Sequence, residues 1–526
     1  MTPTPEAIPP TSLVPSMPTR PPGAPSSGPS PSPRVPRHGI ASAIAVAGVL
    51  SVAYAIGQIL YWAAPDIVSP SPWVKVWLLP EPTPFRVTRY LLVAGWCVAA
   101  ALALVLLLTR RHATTADADA VRSELPFLLQ LATRTCQFGI LGALLLPFAA
   151  MPLAALGSNF PQLLLCLPTT AAALFLVHRA QLYRRMPGWL LLSGFGWGVL
   201  IGGGFGLVMI TWFQRYGAGY FLDFRRPRGS IREIYTLFCL NGAVVTELGK
   251  AAGVAVLFLL FRRHIDGVVS GVVLGAAVGL GFNLTETVHY LGFIQSAHHP
   301  AQFWDRQVVG LFAAHVAFTA LVGAGFGAAR WLPERRDRWV AVGGGLLAAV
   351  GGHFETDVVL MRLDQHRGEW FGHHETLSLL LGIPLMTLIT SGVFVVLYVL
   401  ILRRGLRAQA AGLARALHAE SGLSGGPARA AVTAPEIPLL LSPRRRLLLE
   451  LRVWRRDGTA GLRHLVRFQQ AQLDLATQHW HRERDGADIF VPDDHQLRAR
   501  VLELKGLGTA AATPSGQAPP AQEALS

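Results

Sequence analysis

The sequence predicts an all-α fold: a polytopic transmembrane helical bundle of about ten spans, followed by a mostly helical cytoplasmic C-terminal tail. Three observations carry this. Hydrophobic residues make up 51% of the 526 positions and charged residues only 15%, against roughly 25% charged in a soluble domain. The charges gather in short clusters between apolar runs of about 20 residues, the length that crosses the hydrocarbon layer at 1.5 Å per residue. Arginines flank alternate runs, as the positive-inside bias requires.

Residues 1–38 hold 13 prolines and few large apolar side chains. Such a segment cannot bury a core and is expected to be a disordered tail. The apolar run that follows lacks a clear small-residue cleavage site, so it reads as a retained span and not as a signal peptide. Spans are expected near 40–62, 89–109, 137–156, 161–178, 189–213, 236–261, 267–294, 308–329, 339–361 and 377–402. With the N-terminus inside, the inner connections hold Arg110 and Arg111, then Arg179, Arg184 and Arg185, then Arg262 and Arg263, then Arg335, Arg336 and Arg338. Arg403 and Arg404 open the tail. One outer loop, 215–232, dissents with five arginines. The pattern places a multi-pass protein in the cell membrane with both termini cytoplasmic.

The organisation that follows is a disordered tail at 1–38, N-terminal membrane helices at 39–235 and a core at 236–361. An outer loop and last span occupy 362–402, a helical cytoplasmic tail 403–506, and a disordered Ala/Pro/Ser-rich end 507–526. Within the tail, 443–482 reads as amphipathic helices that either pack on each other or lie on the anionic inner leaflet; packing is the favoured reading. The net charge of +15 is accounted for by arginines flanking spans, and no zinc-finger, RNP or heptad pattern points to nucleic acid. Cys97, Cys136, Cys166 and Cys239 form no CxxC pair and read as small buried residues.

Ionisable side chains inside a span are costly and mark sites. They concentrate in spans six to nine: Glu247 and Lys250, then Glu286 and His289, then His315, then His353, Glu355 and Asp357. Counted from the span ends, Glu247, Glu286, His315, His353 and Asp357 fall within roughly 10 Å of one depth, in the outer half of the bilayer. Glu247 and Lys250 are spaced i,i+3, and His353 and Asp357 i,i+4, so each pair shares a helix face. Gly271, Gly275, Gly279 and Gly281, and Gly323, Gly325 and Gly327, supply small faces for close helix approach. A self-neutralising packing cluster would account for Glu247 with Lys250, but not for two glutamates, two histidines and an aspartate at one level. His264, His289 and Glu355 read as satisfied or interfacial groups. His298, His299, His373, His374 and Glu375 lie in outer loops and read as solvated.

These residues carry a resemblance. Thr246-Glu247-Leu248-Gly249-Lys250 resembles the EExxK motif of the PrsW family of intramembrane proteases, and Gly281-Phe282-Asn283-Leu284-Thr285-Glu286 its GxGFxxxE motif. His315 to Thr319 resembles its HxxxT segment, and His353 to Asp357 its HxxxN/D motif. That family is similar in turn to the CAAX endopeptidase-like membrane proteases. The resemblance covers 236–361 and implies peptide-bond hydrolysis in the membrane, on a membrane-anchored protein or peptide surrounded by membrane lipid. Carried over, Glu247 and Glu286 would polarise a water that His315 helps to hold, while His353 and Asp357 would stabilise the oxyanion. Lys250 and Phe282 would support them. A glutamate with two histidines is also a zinc-like set, so a metal mechanism stays open, with His315, His353 and Glu286 as ligands. One departure stands out: Thr246 occupies the first glutamate position of EExxK. An inactive relative that binds membrane partners is therefore a second reading. A proton-coupled transporter is a third, but it would show paired broken helices in two related halves, and no such symmetry is evident.

Overall fold

The apolar runs fold as the period and length of their residues dictate, into helices joined by short connections. The computed structural model describes all residues except 1–38, 64–82, 116–124, 222–230, 294–298, 372–373, 423–430, 486–493 and 507–526. The two expected disordered ends, His298, His373 and much of the five-arginine loop thus lie outside the described residues. In chain order the helices are α1 (Gly39–Ala63), α2 (Thr83–Thr115), α3 (Leu125–Leu145), α4 (Ala150–Ser158), α5 (Phe160–Arg179) and α6 (Gly188–Gly196). A π-helical turn, Trp197–Gly202, joins α6 to α7 (Gly203–Phe221). Then come α8 (Ile231–Leu260), α9 (Val268–Phe293) and the short α10 (His299–Phe303), which passes into a second π-helical turn, Trp304–Val309. The chain continues with α11 (Ala314–Ala329), α12 (Arg335–Trp370), α13 (Glu375–Leu377), a third π-helical turn, Ser378–Gly382, and α14 (Ile383–Gly422). The tail forms α15 (Ile437–Leu441), α16 (Pro443–Asp485) and α17 (Asp494–Leu504). No strand occurs among the described residues.

Nine helical stretches among the described residues are long and apolar enough to cross a membrane. The tenth expected span, 339–361, lies within α12, a 36-residue helix. Its mean hydropathy is lowered by the arginines of its first turn and by the charged motif it carries into the bundle. Together they form a helical, polytopic membrane protein.

One end of the bundle gathers the arginine-bearing connections. Trp189 packs edge-on against Phe261 at 4.9 Å and His264 at 5.5 Å. Trp331 Nε1 donates to Asp266 O at 2.7 Å, and Arg330 donates to Arg262 O. The opposite end holds the turn at Asn159 against Gly292 and the broken segment α10.

α14 has 40 residues, about 60 Å of helix against a hydrocarbon layer of about 30 Å. Its second half therefore projects and supports the tail. Leu413 and Leu417 pack with Ile437, Leu440, Leu473, Ala476 and Trp480 in one buried cluster, and Leu475, Leu497 and Val501 form another. The tail joins the bundle's arginine-rich end through Tyr183 Oη, which donates to Leu441 O at 3.3 Å, and Arg446, which donates to Leu182 O. The cysteines are free, and Cys97 is exposed on α2 and not buried as expected. Exposure on a membrane helix means contact with lipid, where a small soft thiol is as acceptable as in a core.

Candidate active site

Close helix approach builds the site. α9 and α11 meet along glycines: a Cβ on Gly271 would stand 2.2 Å from Gly323 O, one on Gly275 2.1 Å from Thr319 O, and one on Gly279 2.5 Å from His315 O. Only hydrogen fits there, and the contact sets His315 of α11 beside Phe282 and Glu286 of α9. Trp197, in the π-helical turn before α7, donates from Nε1 to Gly249 O at 3.0 Å. Thr285 Oγ1 donates to Val199 O at 3.0 Å. The widened turn thus ties α8 to α9 at the level of Lys250 and Glu286.

An unbroken chain of side-chain contacts runs through these helices. Arg306 Nη1 donates to Glu286 Oε2 at 2.6 Å, and the same oxygen lies 2.6 Å from His315 Nε2. His315 Nδ1 is 3.2 Å from Lys250 Nζ, which donates to Glu247 Oε1 at 2.5 Å. That oxygen lies 2.8 Å from His353 Nδ1, and His353 Nε2 is 3.4 Å from Asp357 Oδ2. Glu247 and Lys250 are wholly inaccessible, whereas Asp357 is 39% exposed at its side chain. Phe282 roofs the middle of the chain, with Lys250 Nζ 4.4 Å from its ring centroid and the His315 ring at 4.9 Å.

The partners fix the proton positions. Lysine only donates and carboxylate only accepts. His315 therefore takes the Lys250 proton on Nδ1 and donates from Nε2 to Glu286, as a neutral imidazole. His353 has a carboxylate facing each nitrogen, Glu247 at Nδ1 and Asp357 at Nε2, a setting that favours the imidazolium form of the ring. Arg306, Lys250 and His353 then balance Glu286, Glu247 and Asp357.

Thr246 also reaches this chain. Its Oγ1 donates to Gly242 O at 2.8 Å and lies 3.2 Å from His353 Nδ1. The threonine thus stands beside the imidazolium at the position where the motif would put a second carboxylate.

All seven side chains singled out in the sequence (Glu247, Lys250, Phe282, Glu286, His315, His353 and Asp357) meet in this one assembly. His264 lies at the arginine-rich end beside Trp189, and His299 is in α10. Glu355 is partly exposed, in keeping with an interfacial setting, although its Oε2 has no hydrogen-bond partner. It sits two residues from His353, on a different face of the same helix.

Arg306 was not anticipated. It lies just ahead of the expected eighth span, and its signal was a lone arginine in a stretch read as outer loop. The π-helical turn carries it inward. Asn283 Nδ2 donates to Arg306 O at 3.2 Å, Thr169 Oγ1 donates to Gln307 Oε1 at 2.8 Å, and the guanidinium lies 4.3 Å from the Tyr290 ring centroid. Between this turn and His315, Ala314 adopts φ +38°, a left-handed conformation that costs a non-glycine residue about 1–2 kcal/mol and is typical of functional sites. A small pocket lined by Gly203, Leu207, Ile210, Phe282, Thr285 and Glu286 opens onto the chain between α7 and α9.

The residues also fit a metal. Glu247, His315 and His353 each offer a ligand atom, all within 4.8 Å of one another, and Glu247 Oε2 is buried with no hydrogen-bond partner. Three protein ligands with room for a fourth is the pattern of a catalytic zinc site. The set differs from the one expected by having Glu247 in place of Glu286. Lys250 is the cation that now touches two of these donors.

Residues 186–402 match the family model of the PrsW family intramembrane metalloproteases. Over that segment, about two fifths of the chain, the sequence is similar to the PrsW family, the resemblance its motifs carry. No curated protein and no solved structure matches the chain.

Proposed function

With the PrsW-family segment as premise, we propose that this protein is an intramembrane endopeptidase that cuts membrane-anchored proteins or peptides at the Glu247–Glu286–His315–His353 assembly. The observation that carries the reading is the contact chain from Arg306 to Asp357, which brings two glutamates and two histidines from four helices to one place. In the reaction, water attacks the scissile carbonyl carbon and its proton passes to a glutamate carboxylate. Glu247 Oε2 is the acceptor left open for it, while Glu286 holds His315 in place. The oxygen of the breaking carbonyl becomes negative and receives a hydrogen bond from the His353 imidazolium, which Asp357 orients. The protonated glutamate returns its proton to the leaving amine, and the C–N bond breaks.

Glu247, His315 and His353 are the residues that would hold zinc. Bound zinc supplies Lewis-acid polarisation of the carbonyl and a water of lowered pKa. The cytoplasmic placement of both termini, and of the arginine-rich end with the tail, belongs to the same proposal.

The test is incubation of purified protein with a panel of membrane-anchored peptides, wild type beside Glu286→Gln. Cleavage by wild type and its loss in the variant, with folding intact, is the expected result. Thr246 favours a second reading, an inactive relative that binds membrane partners, and Thr246→Glu decides between the two. Cleavage that appears only with the added carboxylate supports the inactive relative; cleavage by wild type that Thr246→Glu weakens supports an enzyme adapted to threonine. No cleavage by either protein overturns the peptidase reading.

A further inference from the structure

Exposure of large apolar side chains follows a rule in this chain. Among the described residues, the large hydrophobics that stand exposed lie on the membrane helices, α12 included, with four exceptions. The exceptions are Leu447 (49% exposed), Leu448 (55%), Leu451 (41%) and Trp454 (48%), all within eight residues of α16. Loose packing of the tail does not explain them, because Leu413, Leu417, Leu473, Trp480, Leu497 and Val501 fill two buried clusters in the same tail. From Thr459 onward α16 is part of that packing, through Leu473, Leu475, Ala476 and Trp480.

The four residues share a face. Leu447, Leu451 and Trp454 are spaced i, i+4 and i+7, with Leu448 at their edge. Arg444 and Arg455 border Leu448, and Arg445, Arg452 and Arg456 lie farther round the helix, with Glu450 as the acidic residue among them. Arginine stems can lie along an apolar surface while the guanidinium reaches outward.

Position supplies what covers this face. The helix begins where the tail meets the bundle's arginine-rich end: Leu441 O accepts from Tyr183 Oη, and Arg446 donates to Leu182 O. Leu182 and Tyr183 lie a few residues beyond Arg179, the end of a candidate membrane span. Residues 443–457 therefore start at the edge of the bilayer. Gly458, at φ +66°, then redirects the chain toward the packed part of the tail.

We propose that residues 443–457 form an interfacial helix that lies on the bilayer at the arginine-rich end of the bundle, with Leu447, Leu448, Leu451 and Trp454 in the acyl boundary and the arginines on anionic phospholipid headgroups. It anchors the tail to lipid independently of the spans. The inference rests on the multi-span architecture and not on the peptidase reading, so its test reads the same whether or not the chain cleaves anything.

The test uses the full chain in a cysteine-free background, one protein per lipid nanodisc, carrying a nitroxide label at Leu447→Cys, Leu451→Cys or Trp454→Cys, and for comparison at Arg445→Cys, Arg456→Cys or Asp457→Cys. Nanodiscs are made of phosphatidylcholine alone or with phosphatidylglycerol. In the anionic discs, labels at 447, 451 and 454 should collide with oxygen more than with a polar nickel chelate by roughly threefold or more, and the order should reverse at 445, 456 and 457. The contrast should shrink without phosphatidylglycerol. Chelate access at all six positions in both lipids would overturn the proposal. So would low access to both reagents at 447–454 with spin–spin broadening between copies, which would assign the face to a second chain. A label-free check compares wild type with Trp454→Phe in brominated lipid: the emission lost with Trp454 should be emission that the lipid quenches. Unquenched Trp454 emission overturns the anchor.

Discussion

Alanine at Gly279 is the smallest change that separates the two helices carrying Glu286 and His315. Its Cβ would stand 2.5 Å from His315 O and 2.9 Å from Val316 Cα. The first distance falls about 0.9 Å short of the 3.4 Å at which ordinary contact begins. Both atoms are backbone of α11, so no side chain can swing aside and the helices must part. The His315 Nε2 to Glu286 Oε2 contact, now 2.6 Å, would open toward about 3.5 Å, beyond hydrogen-bond range. Overpacking of this kind costs about 1–3 kcal/mol, and a 1 Å displacement at a reacting centre costs on the order of 100-fold in rate. Gly279→Ala should therefore unfold earlier and cleave the responsive membrane-anchored peptide about 100-fold more slowly. The control is Gly343→Ala on α12, where an added Cβ meets nothing within 4 Å; it should be neutral or stabilising by up to about 1 kcal/mol. Thermal unfolding in detergent and peptide cleavage read both effects. If Gly279→Ala unfolds and cleaves as Gly343→Ala does, the glycine contact does not set the site.

Two further outcomes follow from charges in the structure. Lys250→Met removes the ammonium that touches Glu247 Oε1 and His315 Nδ1; it should cost about 3–5 kcal/mol by stranding a buried carboxylate. It should also raise zinc content toward one ion per chain by elemental analysis, with zinc recovering about 2.7 kcal/mol at a hundredfold excess over its dissociation constant; a variant that is destabilised but takes up no zinc would count against the Glu247–His315–His353 ligand set. At the arginine-rich end, burial foremost, then Arg263 and Arg184, push the His264 imidazole down to about 4. The unfolded chain takes up that proton near pH 6.5 while the folded chain refuses it, so stability should begin to fall below pH 6.5 and stop falling on this account below about 4. His264→Phe keeps the edge contact with Trp189 and should flatten the unfolding-temperature profile across that window; an unchanged profile would exclude His264 as its source.

The spans were legible because the bilayer imposes a length and an apolarity that few other environments demand. Helix α12 was the hard case. Its motif charges and arginine-rich first turn depress its hydropathy, and it reads as a span from its apolar run at 339–361, from whose ends the depths of His353 and Asp357 are counted. The partners Glu247, Lys250, Glu286, His315, His353 and Asp357 were legible for the same reason, since a charge inside a span is conspicuous. Arg306 was not. Its route into the site depends on the π-helical turn Trp304–Val309 and the left-handed Ala314, and neither has a hydrophobic period that announces it. The tail divided in a way composition could not specify: packing on α14 holds for the part after Gly458, while residues 443–457 keep an apolar face outward.

Protonation completes the account of why such a cluster persists inside a bundle. Burying an ion costs several kcal/mol, and well-packed apolar residues are often as stable as the pair they replace. Six charges closed into one alternating chain, with each imidazole fixed by what its two nitrogens touch, remove most of that cost but supply no advantage over leucines for packing alone. Within this balanced chain Glu247 Oε2 is left without a partner. A buried carboxylate oxygen of that kind is expensive unless water, metal or substrate meets it. It is wholly enclosed, it belongs to a side chain that pairs with both Lys250 and His353, and it lies in the only Glu/His/His group found among the described residues. Packing accounts for every other member of the chain by the partner beside it; under the proposed function this oxygen is the one that meets the reacting water.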